Sequence, residues 1–218
     1  PLRIGFLSQH FRRHSVGWLS ADILQELSKL TPHLYCYVTG QMKTDNVTQR
    51  FEQFTEKFHR PKTFSARELT AEIQKDDLDV LVDLDSVTVM VHTEILYRRP
   101  APVCVSWLGF DAPYISDRNY YLGDWYTHPQ GAESHYLEGV ARMPDSFAAV
   151  SGLPIHPTDR TILRRSMRLS ANQTVYLCIA TGNKFCPEMI SAQVNILKQV
   201  PDSVLLYKGR VGDLKLIE

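Results

Sequence analysis

"RIGFLSQHFRRHSVGWLSADILQELSKLTPHLYCYVT", residues 3–39, contains two apolar runs and the segment that joins them. Residues 3–8 and 34–39 are short and apolar, the pattern of strands buried on both faces. Between them, Val16, Leu19, Ile23, Leu27 and Leu30 recur at three- and four-residue spacing, which predicts a helix over residues 16–30. A strand, a helix and a second strand in this order form a crossover unit, and its two strands run parallel.

The alternation continues along the chain. Further apolar runs lie at residues 79–84, 103–108, 119–124 and 140–143, with helix-period segments at 47–58, 66–75 and 87–97. At residues 151–157 the pattern breaks into "SGLPIHP", a Gly/Pro stretch that reads as a linker or surface crossing. It then restarts with a helix at 159–167, a strand at 175–180, a helix at 187–200 and a strand at 204–208. The expected class is α/β with two parallel-sheet domains. The first covers residues 1–150, a linker spans 151–171, and a second domain starts at 172 and is cut off at 218. A start at Pro1 and an end at Glu218, within a charged run, are expected of a piece of a longer protein.

Composition excludes several classes. Hydrophobic residues make up 44% and charged residues 22%, ordinary for a globular chain. Lys and Arg number 24 against 24 Asp and Glu, so no global field selects nucleic acid or an anionic membrane, and an anion site must be local. No apolar run approaches the ~20 residues of a membrane span. Cys36, Cys104, Cys178 and Cys186 form no C-x-x-C pair, and three of them sit in apolar strand-like runs. Reduced thiols and a cytoplasmic protein are expected.

In open parallel sheets the ligand crevice lies beyond the carboxyl ends of the strands. Residues 9–15 form such a loop, with His10, Arg12, Arg13 and His14 ahead of a helix for which Ser15 is the expected N-cap. His14 would stand beside helix amides that favour an anion. Two other readings remain: the histidines solvate an exposed turn, or they share zinc at i and i+4 with a third ligand not in view. A second loop of this kind is "TGNKFCPE", residues 181–188. Pro187 suits a first helical position, which places Lys184 at a strand–helix crossing, either as a cation for phosphate or as a solvated lysine. Asp83-Leu84-Asp85 has the D-x-D spacing that holds a divalent ion against a nucleotide diphosphate. It also suits a strand end that caps the next helix.

Several longer blocks carry a resemblance: "LRIGFLSQHFRRHSVG", "DNVTQRF", "DVLVDL", "RRPAPVCVSWLGF", "NYYLGDWYTHP", "YLEGVARMP" and "NKFCPE" followed by "NILKQVPDSVLLYK". In this order and spacing the chain resembles the catalytic region of the O-linked N-acetylglucosamine transferase and SPINDLY family. The likeness is closest to bacterial members, which carry tetratricopeptide repeats upstream. The resemblance implies a GT-B fold of two Rossmann-like domains. It also implies an inverting, metal-free transfer of a sugar from a nucleotide donor, UDP-N-acetylglucosamine by family analogy, to Ser/Thr hydroxyls of a protein or peptide acceptor. No cofactor, nucleic acid or membrane partner is implied. His14 falls on the first-loop histidine considered for acid–base work, and Lys184 on the lysine that neutralises the departing diphosphate. Gly109 falls on a glycine of the loop bordering the donor, and Thr181 on a polar second-domain position.

Departures gather in the same loops. The family has Asp where this chain has His10, a small-His-Thr or Gly-Tyr-Thr triplet at Ser86-Val87-Thr88, Pro-Gly-Thr at Asp111-Ala112-Pro113, and Asn or Gln at Thr181. They leave two functional classes open: a transferase with altered donor or acceptor choice, and a catalytically silent homologue that serves as a protein-interaction module.

Overall fold

The computed structural model describes residues 1–62, 65–110, 113–149 and 158–208. The chain divides into two compact units, Pro1–Leu153 and Pro154–Glu218. Residues 151–157 of the expected linker lie outside the described residues, as do Asp111 and Ala112.

The first unit runs β1 (Ile4–Ser8), α1 (Ser15–Ser28), β2 (Leu34–Val38), α2 (Asn46–Phe54), β3 (Lys57–His59), α3 (Ala66–Gln74), β4 (Val80–Asp83), α4 (Met90–Arg98), β5 (Val103–Ser106), β6 (Tyr120–Asp124) and β7 (Gly139–Met143). Its seven strands form one sheet in the order β3-β2-β1-β4-β5-β6-β7, and every pairing is parallel. Strand alternation sorts the core onto two faces. Leu7, Tyr35, Tyr37, Leu81 and Cys104 pack with Leu69 and Ile73 of α3 and Ile95 and Leu96 of α4. Phe6, Leu34, Cys36 and Val38 point the other way, to Ala21 and Leu24 of α1 and Phe51 of α2. Helices thus cover both faces, which is why β2 is buried along its whole length. Truncating a fully buried leucine such as Leu24 to Ala would cost about 2–5 kcal/mol.

Two segments differ from the sequence expectation. The helix expected over 47–58 ends at Phe54, and Lys57–His59 is a strand paired with Tyr35–Tyr37. Phe51, Phe54 and Phe58 continue a helical period, and a strand of three residues is too short to show an alternation against it. The helix expected from residue 87 begins at Met90, after a 3-10 turn at Ser86–Thr88. That turn is held by the Thr88 hydroxyl, which donates to the Asp85 carbonyl.

The second unit contains α5 (Arg160–Ser166), β8 (Thr174–Cys178), a 3-10 turn at Gly182–Lys184, α6 (Pro187–Gln199) and β9 (Ser203–Tyr207). β8 and β9 pair in parallel from Thr174↔Ser203 to Cys178↔Tyr207, with α6 as their crossover. Pro187 occupies the start of α6, where its missing N–H leaves no donor unsatisfied.

Candidate active site at the carboxyl ends of β1 and β4

The strand order reverses between β1 and β4: from β1 the chain crosses toward β2, and from β4 toward β5. In doubly wound sheets the ligand crevice opens at this reversal, beyond the carboxyl ends. β1 ends at Ser8 and β4 at Asp83, so the loops after these two strands build the crevice floor.

Asp85, buried in the loop after β4, ties the two loops together. Its Oδ1 faces His10 Nδ1 at 2.9 Å, its Oδ2 accepts the Gln9 amide at 2.6 Å, and the Ser8 hydroxyl donates to both oxygens. Burial pushes the Asp85 carboxyl up. The His10 hydrogen bond, the nearby His92 and the Gln9 amide outweigh burial and hold it below the usual carboxylate range. The His10 amide donates to Ser8 Oγ at 2.8 Å, which fixes the turn that presents the ring.

His14, not Ser15, is the N-cap of α1. Its backbone is extended and its Nδ1 accepts the Val16 amide at 3.3 Å. Its ring stacks on His10, with centroids 3.9 Å apart and planes at 18°. Burial, then His10 and Arg12, lowers its pKa, with Asp85 opposing, so the imidazole is neutral at physiological pH. The turn closes tightly over α1: a Cβ on Gly17 would stand 2.1 Å from the Arg12 carbonyl oxygen and 2.9 Å from that of His10.

Asp83 has an internal role. Its Oδ1 accepts the amides of Asp85 and Ser86 and faces His92 Nδ1 at 2.7 Å, while His92 Nε2 meets the Thr39 hydroxyl. This buried chain ties β4, α4 and the end of β2 together. Among the described residues, no group of three or more His, Cys, Asp or Glu is placed to hold a metal ion.

Gly109 abuts the same hub. A Cβ there would lie 2.4 Å from the carbonyl carbon and oxygen of Asp85, and the Ser86 hydroxyl donates to the Phe110 carbonyl at 3.0 Å. The structure therefore brings His14 and Gly109 to one set of loops. Lys184 and Thr181 share a separate turn in the second unit, beyond the carboxyl end of β8, where the Lys184 amide donates to the Thr181 carbonyl at 2.9 Å. The Lys184 side chain is exposed and, among the described residues, pairs with no carboxylate. Phe185 anchors this turn by setting its ring edge-on to Tyr207 at 5.5 Å.

The sequence reading missed Ser8, His10 as a carboxylate partner, and the His92–Thr39 pair. The D-x-D at Asp83 and Asp85 was the available signal, read there as metal or capping.

A seven-stranded parallel sheet in this order, with a polar cluster at its reversal point, defines a doubly wound α/β protein. The model for glycosyl transferase family 41 matches residues 1–152, and the chain belongs to that family. Among curated relatives, it is 25% identical over 213 residues to the probable UDP-N-acetylglucosamine–peptide N-acetylglucosaminyltransferase SEC of Arabidopsis thaliana, covering 94% of this chain and 21% of the relative. It is 25% identical over 206 residues to the UDP-N-acetylglucosamine–peptide N-acetylglucosaminyltransferase of Caenorhabditis elegans, covering 93% and 18%. The chain thus spans about a fifth of the length of these relatives. A solved O-GlcNAc transferase mutant from Thermobaculum terrenum superposes with a TM-score of 0.77 at 23% identity, over 99% of this chain and 41% of that one. The lipopolysaccharide outer core galactosyltransferase WaaB superposes at 0.53 and 8%, over 97% and 62%. Both likenesses are of fold, and the fold is of the GT-B class.

Proposed function

We propose that the protein carrying this chain is a cytoplasmic, inverting glycosyltransferase that moves N-acetylglucosamine from a UDP donor to Ser/Thr hydroxyls of a protein acceptor, without metal. The observation that carries this reading is the family 41 match over residues 1–152, the stretch that builds the cluster at the ends of β1 and β4. The relatives' names supply the donor and the acceptor class.

In this reading the departing diphosphate gains negative charge as the glycosidic bond breaks. Lys184 and the amides at the start of α6 stabilise that charge electrostatically. Thr181 and Gly109 border the nucleotide sugar, and the loop of His14 borders the sugar itself. The metal-free assignment is supported by the carboxylates at the end of β4. Asp85 uses both oxygens on Ser8, Gln9 and His10, and Asp83 is fully buried with Oδ1 held by two amides and His92. A reduced, cytoplasmic setting is supported by four unpaired cysteines.

Turnover of UDP-N-acetylglucosamine by the full-length protein, measured with and without a chelator, tests this reading. The rate should be unchanged by the chelator. Loss of turnover with the chelator and its return with Mn²⁺ would assign the charge stabilisation to a metal. Absence of turnover with every nucleotide sugar would favour the silent interaction module.

A further inference from the structure

We propose that His10, oriented by Asp85, is the proton acceptor of this site, and that His14 is a neutral hydrogen-bond donor beside it. The inference rests on the transferase reading and assigns roles within it. It follows from what each ring nitrogen faces. A backbone amide can only donate, so His14 Nδ1, which accepts the Val16 N–H at 3.3 Å, carries no proton. The neutral His14 ring therefore holds its proton on Nε2, which can donate but cannot accept. A carboxylate can only accept, so His10 Nδ1, 2.9 Å from Asp85 Oδ1, carries the proton. The lone pair of His10 then lies on Nε2. No partner among the described residues takes that atom, and a fifth of the side chain is open to solvent.

The surroundings hold this assignment in place. Asp85 cannot swing away, because the Ser8 hydroxyl and the Gln9 amide fix its oxygens. The His10 backbone is fixed at both ends: its amide donates to Ser8 Oγ, and its carbonyl accepts the Arg12 amide at 2.6 Å. With the two rings stacked at 3.9 Å, a second positive charge is unfavourable. Asp85 lies against His10 and not against His14, so the carboxylate faces the ring whose Nε2 is open. An imidazole held by a carboxylate on one nitrogen and open on the other is the recurrent arrangement for activating a hydroxyl.

The step balances. The acceptor hydroxyl oxygen bonds to the anomeric carbon, and the bond from that carbon to the diphosphate oxygen breaks with its electron pair leaving on the nucleotide. The hydroxyl proton passes to His10 Nε2, and Asp85 stabilises the imidazolium. Asp85 is the positioning residue.

The experiment combines ring-nitrogen ¹⁵N NMR of the unmutated full-length protein with kinetics of its variants. NMR should show His10 protonated at Nδ1 and His14 unprotonated at Nδ1, a result readable with or without turnover. In kinetics, His10→Asn should lower kcat about a hundredfold or more and leave KM within a few-fold. His14→Asn keeps both a cap and a donor and should cost about tenfold or less. Asp85→Glu should retain more kcat than Asp85→Asn. A His10 ring unprotonated at Nδ1, or a kcat that survives His10→Asn and collapses in His14→Asn, would overturn the assignment and leave the transferase reading intact. Absence of turnover in the unmutated protein would instead remove the transferase reading, and the NMR result would then decide the tautomers alone.

Discussion

A side chain at Gly109 would have to enter space already filled by the Asp85 carbonyl, 2.4 Å from the ideal Cβ, and by Ser86 Cβ at 2.5 Å. Both neighbouring loops are also bent where they meet, since Ser86 and Leu108 hold φ of 52° and 72°, in the left-handed region that non-glycine residues avoid. Gly109→Ala should therefore push the loop after β4 away and displace Asp85 from Ser8, Gln9 and His10. The expected cost is about 1–3 kcal/mol of stability, with a larger proportional loss of turnover because the hub itself moves. Thermal unfolding and sugar-transfer assays of the variant check this, and an unchanged melting temperature would contradict it. At this scale the sequence reading placed His14 and Lys184 in loops after strands, where the structure has them, and missed the contacts those loops make. His14 and Lys184 were visible as polar residues in loops that follow strands. The pairing of His10 with Asp85 spans 75 positions, and nothing local in either loop announces it.

Among the elements, β6 shows how one carboxylate closes a strand. Asp124 Oδ1 accepts the amides of Tyr126 at 2.9 Å and Thr127 at 2.7 Å, and Oδ2 accepts the Phe147 amide at 2.9 Å. Trp107 Nε1 donates to the Phe147 carbonyl at 2.8 Å, which links the loop after β5 to the same corner. The Thr127 amide first, then that of Phe147, hold the Asp124 carboxyl down to about 2 against burial. An unfolded Asp titrates near about 3.9, so the folded value is depressed. The stability Asp124 contributes is complete above about pH 4 and is lost as pH falls toward about 2. Unfolding midpoints of the unmutated chain and Asp124→Asn should converge over that interval, and a difference that stays constant with pH would contradict the assignment. Element type was legible wherever a run had room to show its period. It failed at β3, three residues beside a continuing helical spacing, and at the start of α4, where a hydrogen-bonded turn at Ser86–Thr88 overrides the pattern.

For the whole molecule, the strand–helix alternation announced a parallel α/β architecture. The strand order was not visible, because periodicity says which residues face a helix and not which strand lies alongside. A zero net charge also concealed an asymmetry. Residues 1–153 carry 15 Lys/Arg against 19 Asp/Glu, whereas residues 154–218 carry 9 against 5. The second unit, which contains Lys184, is therefore the basic one, as suits a partner rich in phosphate.

The central claim, that this chain belongs to a working nucleotide-sugar transferase whose departing diphosphate meets Lys184, is tested most directly by one comparison. Sugar transfer from UDP-N-acetylglucosamine to a Ser/Thr peptide and UDP affinity are measured side by side for the full-length protein and its Lys184→Ala variant. Removing a cation from the place where charge develops typically costs ~3 kcal/mol of transition-state stabilisation, a factor of about a hundred or more in rate. Ground-state UDP binding should weaken much less, because part of that charge exists only after the bond breaks. The account predicts measurable transfer by the unmutated protein, a large rate loss in the variant and a modest loss of affinity. Transfer that proceeds equally well without Lys184, or an unmutated protein that neither binds UDP nor transfers any sugar, would contradict it.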